Sequence, residues 1–150
     1  MSAPVLALTA GGHTVRPYLL SFMPYSSTFK DHLANPRNAG ELANANAVAE
    51  ATNPVCGDRL RLFLLIHDHQ IERARFLAYG CPPTLVCGSV LTELVTGKSV
   101  DEAGRLTRKD VVDAIGGLPS RKQHAAALAI ETLKTAIQSA DSADSAERAV

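Results

Sequence analysis

No stretch of the chain approaches the roughly 20 consecutive apolar residues needed to span a bilayer. The one early apolar segment, Ser2 to Ala10, is far shorter, has no basic residues before it and no convincing cleavage site after it, so neither a membrane anchor nor a good signal peptide is expected. Neither sign of charge is in excess. Lys+Arg and Asp+Glu both number 15, which leaves no net field to draw in nucleic acid or an anionic membrane surface. Cysteine is scarce too, and the three present, an odd number, do not make a disulfide framework. Thiols placed near turns fit a reducing compartment, so a cytoplasmic location is expected.

What is present is a chain of 150 residues, 46% hydrophobic, long enough for one domain with its own core. Gly11-Gly12 and Arg16-Pro17 interrupt any regular element near the start, and residues 1–22 are expected to form a flexible extension, with Met23 as an alternative start. The domain is expected over residues 23–139. The Ser/Ala/Asp-rich stretch over 140–150 is expected to fray, being too polar to offset its ordering entropy.

Within the domain, Phe29 and Leu33 stand at i, i+4 in a short amphipathic helix that Asn35-Pro36 ends. Val48 to Thr52 forms a weak strand. Arg59 to Ile66 alternates and then becomes an apolar run, His67-Asp-His-Gln70 reads as a hairpin connection, and Ile71 to Tyr79 alternates with Ala74, Phe76 and Ala78 on one side. His67 and His69 are read as solvated turn residues. Helices follow: one opened by Cys81-Pro-Pro-Thr84 and ended by Gly97, two short ones with capping-type spacing at Ser99-Glu102 and Thr107-Asp110, and a last one from near Ser120 with Ala126, Ala129, Ile130, Leu133 and Ile137 on its core face.

The chemistry-bearing residues fall at the ends of these elements. Asn53-Pro-Val-Cys56-Gly-Asp58 sets a thiol and a carboxylate two positions apart on a Pro/Gly turn ahead of a strand, soft sulfur beside hard oxygen, a pairing suited to a metal ion. Cys81 lies where a strand turns into a helix, and His124 within the first turn or so of the last helix. A helix N-terminus favours thiolates and anionic metal–sulfur groups. Each residue alone also has a plainer reading: a buried cysteine beside a turn aspartate, a thiol packed under a helix, a surface histidine. Together, Cys56, Asp58, Cys81 and His124 supply two thiolates, a carboxylate and an imidazole, the four ligands of a tetrahedral site.

The motifs His32-Leu-Ala-Asn-Pro-Arg-Asn-Ala-Gly40, Pro54-Val-Cys56-Gly-Asp58, Ala74-Arg-Phe-Leu-Ala-Tyr-Gly-Cys81, Gly97-Lys-Ser99 and Leu118-Pro119 through His124 resemble, in order, those of the U-type iron–sulfur cluster scaffold family, IscU and the N-terminal domain of NifU. The similarity runs from about Tyr25 to Ile137, without the insertion typical of the SufU branch. It implies an α+β fold with a three-stranded antiparallel sheet packed by several helices. It further implies a scaffold, not an enzyme, on which a [2Fe–2S] cluster is built from iron and desulfurase-delivered sulfur and passed to apo iron–sulfur proteins. Cys56, Asp58, Cys81 and His124 then hold the cluster, or zinc in the cluster-free form. The partners implied are a cysteine desulfurase and the apo-proteins.

The sequence also departs from the pattern. The cysteine that follows the histidine in the family is Ala125 here, and a methyl group neither ligates iron nor accepts persulfide sulfur. Cys87, six positions after Cys81 on the same helix, is turned about 240° away and is read as buried rather than as a substitute ligand. The Leu-Pro-Pro-Val-Lys segment by which related scaffolds engage a DnaK-type heat-shock chaperone is Leu118-Pro-Ser-Arg-Lys122 here, which leaves that partnership without its motif. Two other readings stay open on the residues alone: a diverged metal-binding or desulfurase-interacting module without scaffold activity, and an enzyme with a cysteine nucleophile, histidine base and aspartate orienter.

Overall fold

A computed structural model of the chain describes residues 25–148, with side chains to Ala140. The expected extension over 1–22 and the alternative start at Met23 lie outside the described residues. Helix α1 (Ser27–Ala34) is capped by the Ser26 hydroxyl, which accepts from the Phe29 N–H, and ends at Asn35 ahead of Pro36. Strands β1 (Ala47–Thr52), β2 (Arg59–His67) and β3 (Gln70–Tyr79) form one antiparallel sheet in the order β1-β2-β3. Two residues, Asp68 and His69, close the β2–β3 hairpin. Their φ values of 52° and 64° are those of a turn whose twist matches the flanking strands.

Alternation sorts the sheet into two faces. Ala47, Ala49, Leu60, Leu62, Leu64, Ile71, Ala74, Phe76 and Ala78 are buried on one of them. A bulge between Leu65 and Ile66 shifts the register, which is why Ile71 and Ala74 share a face despite their odd spacing. Helices α2 (Pro82–Val95) and α5 (His124–Arg148) pack on that face. At Gly88 a Cβ would sit 2.6 Å from the Phe76 ring, so glycine is what lets α2 approach the sheet this closely. The short helices α3 (Val100–Gly104) and α4 (Arg108–Ile115) both open with the expected capping boxes, at Ser99/Glu102 and Thr107/Asp110.

The last helix differs from expectation at both ends. A single 3-10 turn occupies Ser120–Lys122, and α5 begins only at His124. It then continues through Ala140 to Arg148, where a frayed tail was expected. The segment holds no glycine or proline to stop it, and three of its nine residues are alanine, so the helix runs past the point where apolar periodicity stops. Among the described residues no helix is long and apolar enough to cross a membrane.

A buried polar network fixes the loop after α1 against α2. His32 is buried, with Nδ1 2.7 Å from Ser89 Oγ and Nε2 3.3 Å from Glu93 Oε1. The Arg37 N–H donates to Ser89 Oγ at 2.8 Å, which leaves the Ser89 proton for a neutral His32 Nδ1 and puts the ring proton on Nε2, facing Glu93. Burial, aided by the Arg37 charge, lowers the His32 pKa from its ordinary 6.5 against the opposing pull of Glu93 and Asp31. A histidine whose folded value is depressed adds stability above its unfolded value and loses it as pH falls through the folded one. Wild-type protein should therefore lose more thermal stability between about pH 7 and about pH 5 than His32→Gln does. Parallel Tm-against-pH curves for the two proteins would contradict this.

Candidate metal centre

The β1–β2 connection is shaped by Asn53. Its side-chain oxygen accepts the Val55 N–H at 2.9 Å, its carbonyl accepts the Gly57 N–H at 2.8 Å, and its own N–H donates to the Asp58 carbonyl at 2.8 Å, closing the loop. Gly57 takes φ 79°, a value that L side chains disfavour, and the chain reverses there. The result lifts Val55 and Cys56 into solvent and turns Asp58 inward. Cys56 is exposed, whereas Asp58 retains only 6% of its accessible surface.

Asp58 meets the junction between β3 and α2. Its Oδ2 lies 2.9 Å from the Cys81 thiol and 3.0 Å from the Thr84 hydroxyl, and its Oδ1 accepts the Cys81 N–H at 3.3 Å. Gly80 makes the approach feasible: its φ is 139°, and a Cβ there would stand 2.1 Å from Asp58 Oδ1. Burial pushes the Asp58 carboxyl up. Hydrogen bonds from the Cys81 thiol, the Thr84 hydroxyl, the Cys56 thiol and the Cys81 amide outweigh it and hold the group below the usual carboxylate range. The same contact acts on Cys81 in the other direction, since burial and then the bond to Asp58 raise its thiol above the ordinary value. A thiolate stabilised by the helix start was expected at Cys81. It does cap α2, but without a side-chain capping bond, and its thiol donates to Asp58.

His124 completes the group from the start of α5. One ligand atom each from Cys56, Asp58 and His124 lies within 4.8 Å of the others. Nδ1 of His124 is 3.1 Å from the Arg121 carbonyl oxygen, which can only accept, so the ring proton sits there and the Nε2 lone pair is left for a metal. Three of the four residues singled out from the sequence, Cys56, Asp58 and His124, thus form one group between the β1–β2 loop and the start of α5, and Cys81, at the junction of β3 and α2, reaches it through Asp58 and lies outside the 4.8 Å group. Cys87 does not join them: it is fully buried in the core, and burial raises its thiol far above the ordinary value. Thr84 was missed. Its hydroxyl is fully buried and aimed at Asp58, but in Cys81-Pro-Pro-Thr84 it reads only as a residue of a first helical turn.

Comparison with known proteins bears on this arrangement. The family model for the NifU-like N terminal domain matches residues 24–145. The iron–sulfur cluster assembly scaffold protein IscU 1 of Archaeoglobus fulgidus is 40% identical over 113 residues, 75% of this chain and 74% of that protein. The chain belongs to the U-type scaffold family. The Escherichia coli scaffold protein IscU is 38% identical over 119 residues, 77% of this chain and 92% of its own. A solved NifU-like N-terminal structure from Brucella abortus shares the fold with a TM-score of 0.63 at 16% identity, covering 78% of this chain and 94% of that one.

Membership in the U-type family gives the departure at Ala125 its context. Ala125 and Ala126 are completely buried against the sheet side of α5, so nothing at the position after the histidine offers a donor atom to the rim. The thiols are therefore graded by access: Cys56 exposed, Cys81 partly covered and bonded to Asp58, Cys87 enclosed. Timed iodoacetamide labelling of the metal-free protein, read by peptide mass spectrometry, should modify Cys56 first and Cys81 more slowly, with Cys87 labelled only on unfolding. Labelling of Cys87 at the rate of Cys81 in native buffer would contradict the placement.

Proposed function

We propose that this chain is an iron–sulfur cluster scaffold. It holds a [2Fe–2S] cluster as cargo on Cys56, Asp58, Cys81 and His124, takes zinc at the same residues when cluster-free, receives sulfur from a cysteine desulfurase and passes clusters to apo iron–sulfur proteins. The observation that carries the reading is the convergence of Cys56, Asp58 and His124 within 4.8 Å, with the Cys81 thiol 2.9 Å from Asp58. Named scaffold relatives at about 40% identity support it.

The donor set fits the cargo. Two thiolates suit iron and zinc, the imidazole presents Nε2, and a carboxylate binds iron less covalently than a thiolate does, which suits a site that must let its cargo go. Loading has to displace the Cys81 proton from Asp58 and free both groups at once. With no thiol at Ala125, sulfur must arrive on Cys56 or Cys81, and the exposed Cys56 is the accessible acceptor. An enzyme reading finds less support: among the described residues no hydrogen bond joins His124 to either thiol, and its Nδ1 is taken by the Arg121 carbonyl. The buried methyl of Ala125 favours one second reading, a metal-binding or desulfurase-interacting module that does not build clusters.

Anaerobic loading with ferric iron and sulfide, followed by removal of excess reagent and assay of iron, zinc and sulfide per chain, separates these readings. Wild type and Cys87→Ala should retain both iron and sulfide, whereas Cys56→Ala and Cys81→Ala should lose them. Zinc without sulfide in every preparation would favour the module. Loss from Cys87→Ala with an unchanged circular-dichroism spectrum would overturn the ligand assignment.

A further inference from the structure

The sheet face turned away from α2 and α5 has its own chemistry. Register places its outward side chains in rows: Thr52, Arg59 and Tyr79; Glu50, Arg61 and Leu77; Val48, Phe63 and Arg75; then Leu65 beside Arg73. Four arginines thus share one face of a small sheet in a chain whose Lys+Arg and Asp+Glu both total 15. The acidic residues among them are Glu50, 3.9 Å from Arg59, and Glu72, which the bulge leaves unpaired beside Arg73. Among the described residues, Arg61, Arg73 and Arg75 have no carboxylate within salt-bridge reach. Off this face, Arg37 pairs with Asp31 at 2.6 Å and Lys109 with Asp113 at 2.8 Å.

These guanidinium groups are held rather than loose. That of Arg59 lies 4.7 Å from the centre of the Tyr79 ring, and that of Arg61 lies 5.6 Å from the centre of the Phe63 ring. Stacking on a ring keeps a guanidinium planar to the surface with its N–H edges free, a posture suited to bidentate carboxylate binding. Arginine and aromatic residues around an apolar centre are the composition of a protein-binding surface, and here the 39%-exposed Val48 and the half-buried Leu65 and Leu77 surround a Phe63 that retains only 7% of its surface. A phosphate backbone would instead favour a longer basic stripe on a chain of net positive charge, and this chain has neither.

We infer that the outer face of the sheet, centred on Arg61, Phe63 and Arg75, docks a partner protein through a carboxylate-rich surface. The Arg59/Tyr79 row directly adjoins Asp58 and Gly80, so a partner seated on this face has its end beside the candidate metal centre. What the contact serves rests on the scaffold reading; the contact itself does not.

Fluorescence anisotropy tests it with three probes: a labelled Glu-rich peptide, a single-stranded oligonucleotide of equal charge, and vesicles of phosphatidylserine in phosphatidylcholine. The proteins are wild type, Arg61→Gln/Arg75→Gln, and Arg105→Gln/Arg108→Gln, which removes the same charge from another surface. Wild type should bind the peptide in a salt-sensitive manner. Binding should weaken about tenfold or more in the sheet variant and stay within about twofold in the control. Equal weakening in both variants would overturn the proposal. So would failure of wild type to bind the peptide, or tighter arginine-dependent binding of the oligonucleotide or the vesicles. Iron and sulfide loading measured on the same preparations reports on the scaffold reading separately from the peptide result.

Discussion

The carboxylate of Asp58 ties together the parts of the chain that make the site. It belongs to the β1–β2 loop, yet its partners are the amide and thiol of Cys81 at the end of β3 and the hydroxyl of Thr84 in the first turn of α2. Bonds to a charged acceptor contribute about 1.5–3 kcal/mol each, and an ionised group this buried would be costly without them. The rest of the corner follows from that constraint. Gly80 must lack a Cβ, Gly57 must turn the loop inward, and Pro82 can open the helix because its missing N–H would have had no intrahelical partner.

The same bonds explain how a corner this well satisfied could hold cargo reversibly. The Cys81 proton lies between two of the candidate ligands, so a metal there would have to displace it. Binding a metal there would exchange a set of internal bonds for coordination within one corner, while the Nε2 of His124 would need no such release. The helices and sheet behind the corner are close-packed, with Gly88 bringing α2 down on Phe76, and they give the rim a rigid backing.

Local signals were legible in the sequence where they act locally. The capping boxes, the proline stop after α1, the Pro-Pro opening of α2 and the apolar stripe of α5 were all readable, and the residues of the site stood at element ends. What was not legible depends on distant parts of the chain. The burial of Asp58 and the raised thiol of Cys81 arise from a contact across 23 positions, which no helix-terminus argument could supply. Thr84 was hidden for the same reason. The continuation of α5 past Ala140 runs against the polarity of that stretch, which by itself signals fraying. The arginine face is not legible from a net charge of zero, which says nothing of how the charges are distributed.

The claim that Cys56, Asp58, Cys81 and His124 form one mixed-ligand centre can be tested without reference to assembly activity. X-ray absorption at the zinc edge of stoichiometrically zinc-loaded protein counts the sulfur neighbours directly. The account predicts two sulfurs at about 2.3 Å and two lighter atoms at about 2.0–2.1 Å. Three sulfurs, requiring Cys87 to leave the core, or a shell with fewer than two would contradict it.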